Sequence, residues 1–322
     1  MLPMARKLVT GGAGFIGSHI VTTLVERGEE VRVLDDLSSG TPDNLAHLEV
    51  GGLGSGARVE LMRADVRDPE ACAAACAGVD GIFHEAAQVS VPASIEDPVG
   101  SYDINVNGTL RVLEAARTAG VRKVVFAASS AAYGDDPTCP KVETMTPRPL
   151  SPYASGKLAG EGLMEVYGRA FGIQTVCLRY FNVFGPRQAD DSPYSGVIAI
   201  FARELLAGRV PTIHGTGAQT RDFVYVGDVV QANLLAMDGT VEPGTVFNVG
   251  TGARVSIKDL VVQMGRTLGR DVVPEHGPAR AGDVPDSQAD ISRLRGLGFE
   301  PRTPWPAGLE PTLAWYRERF GG

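Results

Sequence analysis

The stretch that most constrains this chain is Leu8-Val9-Thr10-Gly11-Gly12-Ala13-Gly14-Phe15-Ile16-Gly17. Lys7 to Thr10 reads as the end of a buried strand, and Ser18 to Val25 as an apolar helix. Between them Gly11, Gly14 and Gly17 are spaced G-x-x-G-x-x-G. Such a turn suits a diphosphate: the chain bends sharply off the strand and its backbone approaches the phosphates with no Cβ in the way. The helix also packs tightly on the sheet. Free N–H groups and the positive dipole end at the helix N-terminus then face the anion. A bare glycine triplet also describes a flexible loop, so context decides. A second strand, Glu30 to Leu34, follows the helix and ends in Asp35-Asp36, about 20 residues past the glycines, as a nucleotide fold requires. An acidic side chain there accepts hydrogen bonds from ribose hydroxyls and repels a 2′-phosphate. The expected ligand is therefore a dinucleotide, NAD rather than NADP.

Strands and helices alternate through the first half. After Leu37-Ser38-Ser39-Gly40 the sequence predicts a short helix over Pro42–Leu48, and a mobile surface loop at Gly51–Gly56. A third strand is predicted at Val59–Ala64. Asp65, which follows it, either meets the adenine edge of the cofactor or caps the helix that starts near Pro69. Gly81–Ala87 reads as the fourth strand, Tyr102–Ala119 as one long helix, and Lys123–Ala128 as the fifth strand. This alternation demands a parallel sheet covered by helices, the α/β class with a Rossmann-type doubly wound sheet. A helix at Tyr153–Phe171, a strand at Gln174–Tyr180 and a helix at Val197–Ala207 follow. The runs Val246–Gly250 and Val255–Ile257 read as strand and loop of a smaller lobe. The expected division is 1–180 for the dinucleotide domain and 181–322 mainly for a substrate lobe, with some segments returning to the first domain.

Three residues carry the chemistry. Ser129 ends the fifth strand, and Tyr153 and Lys157 stand four apart after Pro152, which suits a first helical turn. That spacing puts Tyr153 and Lys157 on one helix face. An ammonium and a positive nicotinamide ring would lower the tyrosine pKa, about 10 in solution, towards neutrality. Such a phenol takes a proton from a hydroxyl and returns it to a carbonyl. Ser129 hydrogen-bonds the same oxygen, and Ser130, one step off, faces away. His84 reads as a strand-end core histidine rather than a base, and the neighbouring Glu85 has no explanation in the sequence.

Bulk properties narrow the partners. The 322 residues carry a formal net charge of −8, which argues against a nucleic-acid or anionic-membrane surface. No run is long enough to cross a membrane and none resembles a signal peptide, so the expected location is the cytoplasm. Cys72, Cys76, Cys139 and Cys177 lack zinc-type spacing, and Cys72 and Cys76 read as packing residues of an Ala-rich helix. No metal is expected.

The glycine turn, Asn105-Val106-Asn107-Gly108-Thr109, Ser129 and Tyr153-x-x-x-Lys157 resemble the extended short-chain dehydrogenase/reductase family. Four further runs resemble its UDP-glucose 4-epimerase group: Ala87 to Ser94, Leu178 to Gln188, Ser192 to Ile198, and Thr220 to Asp228. The resemblance implies NAD held by Gly11, Gly14, Phe15, Ile16, Gly17, Asp35, Asp36, Ser38, Gly40, Asp65, Val66, Ala86, Ala87, Gln88, Asn105, Lys157 and Tyr180. It implies a UDP-sugar held by Ser90, Ser129, Tyr153, Asn182, Val197, Arg221, Arg280, Asp283 and Ser287, with Arg221 and Arg280 on the diphosphate. The implied reaction is 4-epimerisation through a 4-keto sugar, in a homodimer joined through Tyr102–Ala119 and Tyr153–Phe171. Sugar dehydratases of the family carry an Asp-Glu pair after the strand-end hydroxyl, where this chain has Ser130-Ala131-Ala132-Tyr133. UDP-glucuronate 4-epimerases place an Arg where this chain has Ala189. Ser287 matches the family's size-selecting position, where a small residue admits an N-acetyl group. UDP-glucose/UDP-galactose is the expected pair, with UDP-N-acetylhexosamines also admitted. A UDP-glucuronate epimerase, or a nucleotide-sugar 4-reductase or dehydratase, is the alternative.

Overall fold

The computed structural model describes residues 6–189, 196–279 and 285–320. In chain order its elements are β1 (Arg6–Thr10), α1 (Phe15–Glu26), β2 (Glu30–Asp35), β3 (Val50–Gly51), β4 (Val59–Arg63), α2 (Pro69–Cys76), β5 (Gly81–His84), α3 (Val91–Glu96), α4 (Pro98–Tyr102), α5 (Thr109–Ala119), β6 (Lys123–Ser129), α6 (Pro152–Phe171) and β7 (Gln174–Tyr180). There follow β8 (Asn182–Phe184), α7 (Val197–Leu206), β9 (Thr212–His214), β10 (Thr220–Arg221), β11 (Phe223–Tyr225), α8 (Val226–Asp238), β12 (Thr245–Val249), β13 (Val255–Ser256), α9 (Ile257–Thr267), β14 (Glu275–Gly277), α10 (Ser292–Arg295) and α11 (Trp305–Arg319). Two compact units result. Unit 1 comprises Met1–Ala132, Pro149–Arg179 and Val230–Phe247; unit 2 comprises Tyr133–Arg148, Tyr180–Val229 and Asn248–Gly322.

An eight-stranded sheet in the order β12-β7-β6-β5-β1-β2-β4-β3 dominates. β1 pairs in parallel with both β2 and β5, so the chain reverses its direction of travel across the sheet beside β1. In doubly wound sheets, ligands bind at that switch point, beyond the carboxyl ends of the strands. Strands buried on both faces read as continuous apolar runs, and residues 124–128 of β6, Val-Val-Phe-Ala-Ala, are all buried. A core of Leu8, Leu34, Ile82, Val124, Phe126, Met164 and Cys177, with Cys72 and Cys76 among them, packs unit 1. Unit 2 gathers its own core from Phe184, Phe201, Phe223, Leu260, Met264, Leu309 and Tyr316, with Trp305 and Trp315 packed against it.

Local signals set the helix that matters most. α6 starts where the Ser151 hydroxyl accepts the Ala154 N–H, has Pro152 in its first turn, and stops at Gly172 in the left-handed region. Four expectations need correction. The long helix at Tyr102–Ala119 contains a π-helical segment, Asp103–Gly108, before α5. The short helix predicted to Leu48 closes as a 3₁₀ turn at Leu45. The segment expected to be loop from Gly51 begins in the sheet, since Gly51 belongs to β3, and the exposed turn after it makes one bond back, from the Gly54 N–H to Glu60 Oε1 (2.9 Å). Thr245–Val249 is an edge strand of the large sheet, beside β7, rather than a strand of the smaller lobe.

His84 closes β5 as a fully buried core residue. Thr109 Oγ1 donates to Asn105 O (2.7 Å) and so must accept from His84 Nε2 (3.0 Å). His84 Nδ1 then accepts from Thr10 Oγ1 (2.7 Å), which fixes the neutral Nε2–H tautomer. Burial, reinforced by the charge of Lys157, lowers the imidazole pKa to about 3. The unfolded chain binds a proton near pH 6.5 and the folded chain does not, so stability present above pH 6.5 is lost as pH falls towards 3. Between pH 6.5 and 5 this amounts to roughly 2 kcal/mol. Urea denaturation at the two pH values should show that loss in the wild type and a loss smaller by that amount in His84→Gln. Equal pH slopes would contradict it.

Candidate functional site

The glycine turn is built against the neighbouring strand ends. Gly11 takes φ +67°, its N–H donates to Leu34 O (2.8 Å), and a Cβ there would stand 2.7 Å from the Ala86 nitrogen. A Cβ on Gly17 would be driven into the Gly11 carbonyl oxygen. α1 begins at Gly14 with no side-chain cap and no acidic residue in its first turn, which leaves its positive end open to an anion. Asp35 is buried and bound into this turn: Oδ2 accepts the Ala13 N–H and Oδ1 the Leu37 N–H, both at 2.9 Å. Burial raises the Asp35 pKa, and the two backbone donors oppose it. Leu37 is held at φ 62°, which is costly for a branched side chain. Asp36, by contrast, is exposed and binds the N–H and hydroxyl of Ser38. Gly40 backs onto the turn, while Thr41 N and Asn44 Nδ2 both donate to Ala13 O (3.1 and 2.9 Å). Neither Thr41 nor Asn44 belongs to the glycine motif itself. An Asx-type residue after a glycine was the only signal.

Asp65 does not cap α2; Asp68 does, accepting the N–H groups of Glu70 and Ala71. Asp65 is gripped by Arg67, whose guanidinium holds its carboxyl below the usual range and also reaches Asp103 (3.3 Å). Val66 is buried, its side chain beside Gly108 of the π-helical segment. That segment aims Asn105 at the loop after β5. Asn105 Oδ1 accepts the Gln88 N–H and its Nδ2 donates to Gln88 O, both at 3.0 Å. Asn105 therefore acts on the loop Ala86-Ala87-Gln88 as a brace. Ser90, two residues on, caps α3 through the Ala93 N–H (3.2 Å).

The chemistry-bearing residues meet in unit 1. Lys157 is 3% exposed, and its ammonium donates to Ala127 O at 2.7 Å and lies 5.0 Å from the Phe126 ring centroid. Ser129, two residues further along β6, lies close enough to the Tyr153 phenol to act on its pKa, and its Oγ accepts the Ala131 N–H (3.2 Å). The Tyr153 N–H donates to Ser94 Oγ (3.2 Å), fixing the start of α6. Burial raises the Tyr153 pKa and the Ser129 bond pulls it back, so in the protein alone burial wins. Burial lowers the Lys157 pKa to about 8, opposed by the charge of Glu85. Ser130 turns away into a 3₁₀ segment, Ser130–Tyr133.

The remaining candidates belong to unit 2. Tyr180 ends β7 and is buried. Asn182 opens β8, which pairs in parallel with β11, and its N–H donates to Asp222 O (3.0 Å). Val197 is the first residue of α7. Arg221 and Ser287 come together around Thr220: Arg221 Nη1 donates to Thr220 O (2.8 Å), as does the Ser287 N–H (3.1 Å). Asp222, which no local sequence pattern singles out, organises this region. Its buried carboxylate accepts Thr251 N (2.8 Å), Thr251 Oγ1 (2.6 Å), Gly252 N (2.9 Å) and Ala289 N (3.0 Å). Arg280 and Asp283 lie outside the described residues, and no cluster of metal-ligating side chains occurs among those described.

Residues 7–250 match the NAD dependent epimerase/dehydratase family. The chain belongs to that family. It is 41% identical to the UDP-glucose 4-epimerase of Mycolicibacterium smegmatis over 98% of its own length and 99% of that protein's. The UDP-glucose 4-epimerase of Thermotoga maritima, solved with UDP-glucose, superposes with a TM-score of 0.90 at 37% identity, over 98% of this chain and 99% of that one. The UDP-N-acetylglucosamine 4-epimerase of Methanobrevibacter ruminantium, in complex with UDP-N-acetylmuramic acid, gives 0.91 at 34%, over 98% and 99%. The protein is thus an enzyme of the epimerase type whose cofactor is NAD. The uncapped α1 terminus, the Cβ-free approach at Gly11 and Gly17, and the Asp35 carboxylate fit a dinucleotide. No helix among the described residues is long and apolar enough to cross a membrane.

Gly17→Ala should weaken NAD binding about 5- to 150-fold, since overpacking against rigid backbone costs about 1–3 kcal/mol. Gly52→Ala, whose Cβ would meet nothing within 4 Å, should leave it unchanged. Calorimetric titration with NAD compares them, and equal affinities would contradict the assignment of the turn.

Proposed function

We propose that the protein is a UDP-hexose 4-epimerase that interconverts UDP-glucose and UDP-galactose and also admits the UDP-N-acetylhexosamines. The observation that carries this reading is the buried Lys157 ammonium, seated on the Ala127 carbonyl one helical turn from Tyr153, with Ser129 two residues along the same strand and acting on the phenol. Bound NAD supplies the acceptor that takes the C4 hydrogen as hydride and returns it to the opposite face. Tyr153 takes the proton of the 4-hydroxyl and later restores it to the 4-keto oxygen. Ser129 Oγ binds that same oxygen and orients it towards the phenol. Lys157 holds the nicotinamide ribose and stabilises tyrosinate, opposing the upward push of burial. Between the two transfers the 4-keto sugar turns over in its pocket.

Gly11, Gly14, Phe15, Ile16 and Gly17 hold the cofactor diphosphate, and Asp35, buried and built into the turn, is favoured over exposed Asp36 for the ribose hydroxyls. Ser38, Gly40, Asp65, Val66, Ala86, Ala87, Gln88, Asn105 and Tyr180 complete that site. For the UDP-sugar we assign Ser90, Asn182, Val197, Arg221, Arg280, Asp283 and Ser287. The proximity of Arg221 and Ser287 around Thr220 supports a joint role, one on the diphosphate and one beside the sugar. The small Ser287 supports admission of an N-acetyl group. Exposed Tyr102, Val166 and Phe171 support a homodimer through the helices that carry them.

Incubation with each UDP-hexose and UDP-N-acetylhexosamine, followed by chromatography, should yield the matching 4-epimer without added reductant. Tyr153→Phe should lower kcat by roughly 10²–10⁴. Ser287→Tyr should abolish turnover of the N-acetylated pair and spare the plain hexoses. Net oxidation of the sugar, or turnover of UDP-glucuronate alone, would contradict the reading. Val166→Asp should convert a dimer into a monomer in analytical ultracentrifugation; a dimer that persists would remove α6 from the interface.

A further inference from the structure

Glu85 has no part in the scheme above, yet the strand register puts it beside the residue on which Lys157 rests. Gly81 to His84 of β5 pair in parallel with Lys123 to Phe126 of β6, so the residues that follow, Glu85 and Ala127, emerge side by side. The Ala127 carbonyl is the acceptor of the Lys157 ammonium at 2.7 Å. The Glu85 backbone is fixed as well, its N–H donating to Thr10 O at 3.1 Å. Glu85 is thereby fixed at the sheet end, beside the residue whose carbonyl holds the buried ammonium.

The surroundings of Lys157 show why that charge matters. An ammonium removed from water requires an opposite charge or a dense set of acceptors. Beneath it lie one carbonyl and the face of Phe126. The ring of His84 stacks on Phe126 with centroids 5.6 Å apart, but that imidazole is neutral. On its own helix, burial keeps Tyr153 a protonated, uncharged phenol. Glu161, one turn further along α6, is engaged by Arg179 of β7 through two bonds of 2.8 and 2.7 Å. Asn105, from the π-helical segment packed on this face of α6, is uncharged and braced to Gln88.

We propose that Glu85 is a positioning residue that keeps Lys157 protonated in its buried seat and thereby sets the alkaline limit of the reaction. The inference rests on the reading that Lys157 serves Tyr153, and it adds a residue to that site. The electrostatic balance runs the same way, since burial lowers the Lys157 pKa and Glu85 raises it. Without the carboxylate, the ammonium gives up its proton at lower pH, and tyrosinate loses its cationic neighbour.

The test is a direct titration. The chain carries few lysines, Lys7, Lys123, Lys141, Lys157 and Lys258, so full-length NAD-loaded protein labelled at lysine ¹³Cε gives a countable spectrum. The Lys157 signal is the one absent in Lys157→Arg. In Glu85→Gln its midpoint should fall by about one pH unit relative to wild type, and Glu85→Asp should restore it. The alkaline fall of kcat in the epimerase assay should move in the same direction, with KM changed less than about twofold. A Lys157 midpoint equal in wild type and Glu85→Gln would overturn the proposal. Should the wild type invert no UDP-sugar, the proposed reaction fails on its own, and the titration still decides the Glu85–Lys157 coupling.

Discussion

The hydrogen bond from the Lys157 ammonium to the Ala127 carbonyl aligns the site. It joins α6 to the end of β6 at one point, and the two periodicities do the rest. One step along the same strand face leads from Ala127 to Ser129, about 6.6 Å. One turn back along the helix leads from Lys157 to Tyr153, about 5.4–6 Å. Because the steps match, Ser129 and Tyr153 arrive on the same side of the site, where the serine acts on the pKa of the phenol. The bond lies in a dry setting, where an ammonium is expensive to bury, and so the residues around it are constrained in turn. Phe126 offers its face, His84 stays neutral behind it, and the threonines on either side of His84 fix its tautomer.

The same hydrogen-bond chain reaches the cofactor turn. The Ala86 N–H donates to Thr10 Oγ1, Thr10 to His84, His84 to Thr109, and Thr109 to Asn105 O. Asn105 in turn braces Gln88. The strand that delivers the glycine turn, the strand that delivers Ala86 to Gln88, and the π-helical segment are thus held by one buried series. In unit 2 the Asp222 carboxylate plays the corresponding part, collecting four donors from two loops beside Arg221. In both units a buried, hydrogen-bonded polar group fixes the path of the neighbouring loop backbone.

Much of this was legible in the residue order. The glycine spacing, the acidic end of β2 and the Tyr-x-x-x-Lys pair are local patterns, and β7 runs over Gln174–Tyr180 as the apolar run predicts. What stayed hidden depends on partners far away in the chain. The π-helical segment follows from the embrace of Asn105 and Gln88, and helical periodicity over Tyr102–Ala119 gives no hint of it. β12 is a sheet edge because β7 offers a free side to it, and its sequence alone suits a small lobe equally well. Asp65 and Asp68 are both credible caps by type; only the backbone path, with Arg67 folded onto Asp65, separates them. Glu85 was conspicuous yet mute, since its meaning lies in the strand beside it.

In the proposed reaction, Tyr153 moves a proton at the sugar 4-oxygen while the C4 hydrogen leaves and returns inside one closed site. UDP-[4-²H]glucose tests it most directly. After turnover in ordinary water, NMR of the UDP-galactose formed should show deuterium fully retained at C4. Protium at that carbon would mean exchange with solvent, and would contradict the account.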